Sequence, residues 1–406
     1  MHCRICKSPD LKEFLSLGVT PLANNFLRKE DLDKPEPKFP LTLCFCTQCK
    51  LVQLSHVVDP EQMFRNYVYV TSTTKTFQTH FAKMADHLIE RLQLNPSSLA
   101  VDIGSNDGLL LKGFQKHGVQ VMGIEPAGNI AQMANAAGVD TLNSFFTAAA
   151  VSEIIQRKSH ADLITANNVF AHIGDIHAVA ENVKHLLKPN GIFVIEVQYF
   201  GDTMKDMTFD NVYHEHLSYF TLTSLQHFFA MVGMHIFDVA HVDSHGGSLR
   251  VFVQLAHGMQ PISPAVHHLL EQEQHVGISL FMTYQQFATR VYETKQKLVE
   301  RILEIRQQGK RIAGYGAPAK ASTLLNFCEF TTHHLAYIVE DNPLKQGLYQ
   351  PGTHIPVVPP ARLQEAPPEY LLILAWNFAA EIMEKIRPLV KEGMKGIIPL
   401  PHLREF

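Results

Sequence analysis

The stretch "NVYHEHLSYF", residues Asn211 to Phe220, packs two histidines, a glutamate and two tyrosines into ten residues. Titratable side chains are costly to bury without partners, so this density belongs at a surface or in a site. Three chemistries are open. His214 and His216 stand two apart, which on a strand puts both rings on one face, as a metal clamp requires. An imidazole titrates near neutrality and can move a proton. The third reading is a solvated turn.

A second constellation is Cys3-x2-Cys6 followed, after a gap of 39 residues, by Cys46-x2-Cys49. Each C-x-x-C offers two thiolates on one tight turn, and two such turns make a closed tetrahedral sulfur site suited to structural Zn2+. A closed site leaves no open position, so it serves folding rather than chemistry. Cys44 competes for a place in it.

Two glycine-rich turns follow predicted strands. In "VDIGSNDG", Asp102 and Gly104 end a strand and Gly108 opens a helix, with Ser105 and Asn106 between. Glycines let backbone approach a ligand, and the helix start offers free N–H groups. Glu125, 17 residues past Gly108, ends the next strand where an acid can accept two ribose hydroxyls. Asn167, at the end of a third strand, joins this cofactor set. The turn lacks G-x-G-x-x-G spacing, which favours S-adenosylmethionine over NAD. "GYGAPA", Gly314 to Ala319, does match G-x-G-x-x-A, and Glu340 and Asp341 end the strand after it. That turn suits NAD, the diphosphate of a nucleotide-linked substrate, or packing alone. Lys320 adds a point charge for phosphate, and Tyr315 and Asp341 are placed with it as substrate contacts.

These residues need scaffolds to hold them. The chain has 406 residues, 46% hydrophobic and 18% charged, with net charge −4. It can bury ordinary cores, and neither its charge nor any basic block points to nucleic acid. Its start has no signal-like apolar segment and no run is long enough to span a membrane, so a cytoplasmic location is expected. Residues 1–57 are too few for a self-sufficient core, which fits a metal staple. Residues 58–260 alternate strands and helices, as a parallel sheet covered on both faces does. Residues 261–406 read as a helical connector and a second strand–turn–helix unit. The expected class is α/β, with a small zinc-binding domain before two Rossmann-like domains.

The order of motifs, "PLANNFL", "VDIGSNDG", "NNVFAHI", "YHEHLSYF", "HGGSLR" and "GYGAPAKA", resembles the three-domain sugar C-methyltransferases that act on nucleotide-linked 4-keto-deoxy sugars. The likeness covers essentially the whole chain. It implies structural zinc at the N-terminus, S-adenosylmethionine in the middle domain, and a C-terminal domain that holds nucleotide sugar without NAD. The family's catalytic histidine falls on His216, with Tyr213, Glu215 and His172 beside it. A site tyrosine falls on Tyr69, with Tyr67 as the alternative. His245, in "HGGSLR", lies either in the substrate pocket or at a scaffold bulge.

C-methylation needs a carbon nucleophile made by removing a proton beside a ketone. His216 is the expected base, with His172 and Tyr213 as donors to the keto oxygen as it gains charge. The expected product is a sugar methylated at C3, destined for a surface polysaccharide or a glycosylated metabolite, with C5 or O-methylation as variants. The rivals are an NAD-dependent nucleotide-sugar oxidoreductase and a non-catalytic zinc adaptor. Oligomeric state is not legible, and nothing calls for more than a monomer.

Overall fold

A computed structural model describes all residues except 60–62, 64–70, 74, 245 and 390–392. Tyr67, Tyr69 and His245 therefore lie outside the described residues. Among the described residues the strands form three sheets.

The first sheet begins with β1 (Leu11–Thr20), β2 (Phe39–Cys46) and β3 (Val52–Leu54), paired antiparallel. Its fourth strand is Ser218–Tyr219, which pairs with β3 from 165 to 167 residues further along the chain. The N-terminal sheet is thus completed by the segment that carries the histidines.

The second sheet contains β4 (Leu99–Ile103), β5 (Gln120–Ile124), β6 (Thr141–Leu142), β7 (Ala161–Asn167) and β8 (Leu187–Gln198), all parallel. The Ser218–Tyr219 strand is β9, and β10 (Met234–Val242) and β11 (Ser248–Leu255) extend this second sheet. Its order is β10-β11-β8-β7-β4-β5-β6. The sheet is mixed rather than wholly parallel, because β11 runs antiparallel to both β8 and β10. A hairpin turn at Gly246 and Gly247, both at positive φ, permits that reversal. Helices α1 (Lys75–Leu92), α2 (Leu109–Lys116), α3 (Gly128–Ala136), α4 (Ala148–Arg157), α5 (Ile176–Leu186) and α6 (Leu222–Met231) accompany the sheet. Buried strands such as "LAVDI", with all five residues inside, explain the apolar runs in the sequence. Pro189 and Gly191, ordinarily helix-stopping residues, lie past the end of α5 at Leu186 and fall within β8.

The connector is two helices, α7 (Pro264–His275) and α8 (Phe281–Gln307), separated near Gly277 at φ +76°. α8 buries Tyr284, Phe287, Ala288, Val291, Leu298, Ile302 and Ile305. That three-and-four spacing is one face of a helix ~40 Å long. The last sheet has order β14-β13-β12-β15-β16-β17, built from β12 (Ile312–Tyr315), β13 (Ile338–Val339), β14 (Val357–Val358), β15 (Tyr370–Ile373), β16 (Lys395–Ile398) and β17 (Arg404–Glu405). All but β17 run parallel. Helix α9 (Ala319–Phe327) follows β12.

In each α/β sheet a central strand has neighbours that follow it in opposite directions: β4 between β5 and β7, β12 between β13 and β15. A crevice opens at the carboxyl end of such a strand, and both glycine turns lie there. One hydrophobic cluster joins Leu43 and Phe45 of the first sheet, Val212 and Leu217 of the histidine segment, Tyr284 of α8 and Leu324 of α9. The N- and C-terminal parts therefore share a core around residues 209–219. None of the described helices is long and apolar enough to cross a membrane.

Candidate active site

The turn after β4 is shaped by its own backbone. Gly104, at φ +64°, donates to Ile124 O at 2.8 Å, and a Cβ on it would come within 2.8 Å of Val169 Cγ2. Asn106 takes a left-handed φ of 51°, rare for a residue with a side chain. Its N–H donates to Glu125 Oε2 at 3.0 Å, while Glu125 Oε1 accepts from Ala127 N at 2.9 Å. Asp102 is buried and accepts from Thr165 Oγ1 at 2.6 Å and Asn167 Nδ2 at 3.3 Å. Burial lifts its pKa to about 7 against those hydrogen bonds. Burial also raises Glu125. Ser105 Oγ and Asn167 Oδ1 are buried with no hydrogen-bond partner among the described residues. A folded chain rarely leaves such atoms unmatched unless a ligand or water meets them. Asp102, Gly104, Ser105, Asn106 and Asn167 line one crevice, with Gly108 opening α2 beside it. These residues fit a polar cofactor with a ribose, as S-adenosylmethionine is.

The four sequence-paired cysteines also converge. The Sγ atoms of Cys3, Cys6, Cys46 and Cys49 all lie within 4.8 Å of one another, with Cys3–Cys49 at 3.3 Å and Cys6–Cys46 at 3.5 Å. Tetrahedral thiolates on Zn2+ stand about 3.8 Å apart, so the set fits the metal. Hydrogen bonds from Cys3 and then Cys49 push the Cys46 thiol down, while the same contacts push Cys3 and Cys49 up, as in thiols crowded into one cluster. Cys44 stays outside the group, and among the described residues this is the one gathered set of metal-ligating side chains. The "HEH" residues do not form another. His214 is buried, its Nε2–H donating to Phe39 O at 3.2 Å within the N-terminal sheet.

His216 faces other company. Its ring stacks on Tyr213 at 4.1 Å between centroids and lies 5.1 Å from the His172 ring. His216 Nδ1 sits 2.9 Å from Asn211 O, and a carbonyl can only accept, so Nδ1 carries the proton. In a neutral ring Nε2 is then the basic nitrogen. The backbone ties the two histidines together, because Leu217 N donates to Ala171 O at 2.9 Å. Glu215 is buried on the other side of the segment, where Oε1 accepts from Asn24 Nδ2 at 2.6 Å.

The C-terminal unit closes on the same segment. Thr323 Oγ1 donates to Val212 O at 2.8 Å, and Trp376 Nε1 donates to Asp210 Oδ2 at 2.6 Å. Lys320 Nζ lies 4.0 Å over the Trp376 ring and donates to Asn377 Oδ1. Burial lowers its pKa to about 8, with Asp210 pulling the other way. Tyr315 points elsewhere: its hydroxyl bonds Asp341 at 3.1 Å, and Asp341 pairs with Lys385. Lys320 therefore joins the histidine segment, whereas Tyr315 and Asp341 serve each other.

Three groups escaped the sequence reading. Asn24 sits in the quoted "PLANNFL" without an assigned role. Trp376, the sole tryptophan of the chain, follows a strand end where a ligand crevice opens. Glu196, fully buried on β8, accepts from His80 Nε2 at 2.8 Å, Ser244 Oγ at 2.9 Å and Arg250 Nη2 at 2.9 Å. The four come from three separated stretches, so only spacing across the fold reveals them.

Known proteins match the chain in the same order. A zinc binding domain description covers residues 3–64, a methyltransferase domain 77–238, and a C-methyltransferase C-terminal domain 243–401. The C-methyltransferase NovU of Streptomyces niveus is 39% identical over 403 residues, 99% of this chain and 96% of its own length. A ubiquinone biosynthesis O-methyltransferase of Rhodopseudomonas palustris is 38% identical over 96 residues, 23% of this chain and 38% of its own. Among solved structures, the 1,6-didemethyltoxoflavin-N1-methyltransferase of Burkholderia thailandensis is 19% identical, covering 44% of this chain and 80% of its own with a TM-score of 0.34. On the full-length relative and the three ordered domains, the chain belongs to the S-adenosylmethionine-dependent C-methyltransferase family, with zinc as the structural metal of its N-terminal domain.

Proposed function

We propose that this C-methyltransferase adds a methyl branch at C3 of a nucleotide-diphosphate 4-keto-6-deoxy sugar. The observation that carries the reading is the tautomer of His216. Asn211 O holds the proton on Nδ1, which leaves Nε2 the basic nitrogen of a ring packed against His172 and Tyr213. A carbon acid needs such a base to remove a proton from carbon, a step O-methylation does not contain.

His216 Nε2 takes the proton from C3, and the C–H electron pair becomes an enolate with charge on the C4 oxygen. His172 and Tyr213 donate to that oxygen as charge builds. Asp102, Gly104, Ser105, Asn106, Gly108, Glu125 and Asn167 would hold S-adenosylmethionine, which would supply an electrophilic methyl to C3, the sulfur keeping the electron pair of the bond that the new C3–CH3 bond replaces. Lys320 holds the diphosphate as a point charge. The work divides by domain at residues 1–57, 58–260 and 261–406, for metal, methyl donor and nucleotide sugar. The product is a branched deoxysugar for a surface polysaccharide or glycosylated metabolite.

The test is solvent deuterium exchange at C3. The protein with S-adenosylhomocysteine and dTDP- or GDP-4-keto-6-deoxy sugar should exchange one C3 proton, and His216→Asn should abolish it. Undiminished exchange in His216→Asn sinks the assignment. Mass spectrometry with the full cofactor should show a gain of one methylene.

A further inference from the structure

The metal turn reaches the catalytic segment through one side chain. Arg4 stands between the ligands Cys3 and Cys6, yet its guanidinium bonds two other segments of the chain. It is 8% exposed. A guanidinium buried at this cost normally meets a carboxylate. Here it meets two carbonyls: Nη1 donates to Leu217 O at 2.9 Å and Nη2 to Leu54 O at 3.1 Å.

Leu217 follows His216 directly in the chain. Its carbonyl accepts from Arg4 and, at 3.0 Å, from Leu54 N. Its own N–H donates to Ala171 O, next to His172. The peptide groups flanking Leu217 thus tie the backbone after His216 to the backbone before His172, whose rings lie 5.1 Å apart. The same turn is braced elsewhere, since Arg4 N donates to Gln53 Oε1 at 2.8 Å and His177 Nε2 to Ile5 O at 2.6 Å. Those bonds hold the turn in place without the guanidinium, so its two bonds are available for another purpose.

We propose that Arg4 is a positioning residue for methyl transfer, fixing the Leu217 carbonyl so that His216 and His172 keep their mutual geometry. It touches neither cofactor nor substrate. Its position on the metal turn makes the zinc-binding domain part of the catalytic geometry and more than a folding unit. The proposal rests on the His216 reading above. A misplacement of about 1 Å in a reacting group costs on the order of 100-fold in rate.

The experiment compares Arg4→Met, Arg4→Lys and wild type as full-length zinc-loaded protein. Four quantities are read: zinc per chain, KM for S-adenosylmethionine, kcat, and hydrogen–deuterium exchange of the peptide that contains Leu217. Arg4→Met should keep its zinc and its KM for S-adenosylmethionine, lose roughly 30- to 100-fold in kcat, and exchange the Leu217 amide faster. Arg4→Lys, with one donor within reach, should recover part of kcat and of the protection. The proposal is overturned if Arg4→Met keeps wild-type kcat. It is equally overturned if Arg4→Met is insoluble or zinc-free, because Arg4 then only builds the metal turn. His216→Asn in the C3 exchange assay separates the two failures, since that result does not depend on Arg4.

Discussion

The two glycine turns start from the same backbone device and end in different uses. In each, the acid after the neighbouring strand accepts one N–H from the glycine turn and one from its own loop. Glu125 accepts from Asn106 and Ala127; Glu340 accepts from Ala317 at 2.6 Å and Asn342 at 2.8 Å. The difference lies in what fills the space above. In the second turn the chain fills it: Lys345 Nζ donates to Ala317 O at 2.8 Å and Tyr315 bonds Asp341, while Lys320 leaves the turn for Asn377 and Trp376 beside the histidine segment. In the first, Ser105 Oγ, Asp107 Oδ1 and Asn167 Oδ1 are buried and unmatched among the described residues. Gly316 shows why the motif alone misleads. A Cβ there would meet Ala375 Cβ at 2.7 Å, so close packing demands glycine whether or not a phosphate approaches. What distinguishes a ligand cradle from a packed turn is its unmatched polar atoms.

That contrast can be broken by swapping the test between turns. Glu125→Ala should weaken S-adenosylmethionine binding roughly 300-fold or more, by loss of charge-assisted hydrogen bonds. Glu340→Ala should leave it within about 2-fold, and titration with NAD should give no saturable heat. Calorimetry reads all three, and equal losses in the two variants would erase the distinction.

The first unit should also show its buried charges in acid. Burial pushes Glu196 up, but His80 and Arg250 outweigh it and hold its pKa near 2, below the unfolded value of 4.5. A lowered carboxylate stabilises fully above pH 4.5 and loses that stability as pH falls toward 2. On the order of 3 kcal/mol is at stake. Chemical denaturation across that window should show a steeper acid loss in wild type than in Glu196→Gln.

Lys320 sharpens the role of the second turn. Lys320→Met should raise KM for the nucleotide sugar about 10-fold while leaving KM for S-adenosylmethionine unchanged. With its pKa at about 8, the ammonium is lost as pH rises through that value. Substrate affinity should then fall above pH 8 in wild type and stay flat in the variant. The smallest effect belongs to the exposed Asp341–Lys385 pair of the same unit. Lys385→Ala should change stability by less than about 1 kcal/mol, as solvent-screened pairs do.

The legible part of this protein was whatever short-range spacing encodes. Cys3, Cys6, Cys46 and Cys49 announced a tetrahedral site because each pair fits one turn. Asp102 to Gly108 and Glu125 announced a cofactor crevice because strand, turn and helix follow one another directly. "HEH" was less decisive: alternation allowed both rings on one face, but the segment is a tight loop and His214 turns into the N-terminal sheet.

The sequence by itself determined the local chemistry: a metal-binding cysteine set, a ribose-accepting acid, and a histidine able to take a proton. Tertiary structure alone decided which of those groups work together. It brought Ser218–Tyr219 to β3, Arg4 to Leu217, Asn24 to Glu215 and Trp376 to Asp210. These contacts join residues from 165 to 213 positions apart, and no periodicity reports on such distances. The physical reason is that short segments from three domains share one core around residues 209–219. The identity of each neighbour is then fixed by packing and hydrogen-bond matching across the fold, which local pattern does not record.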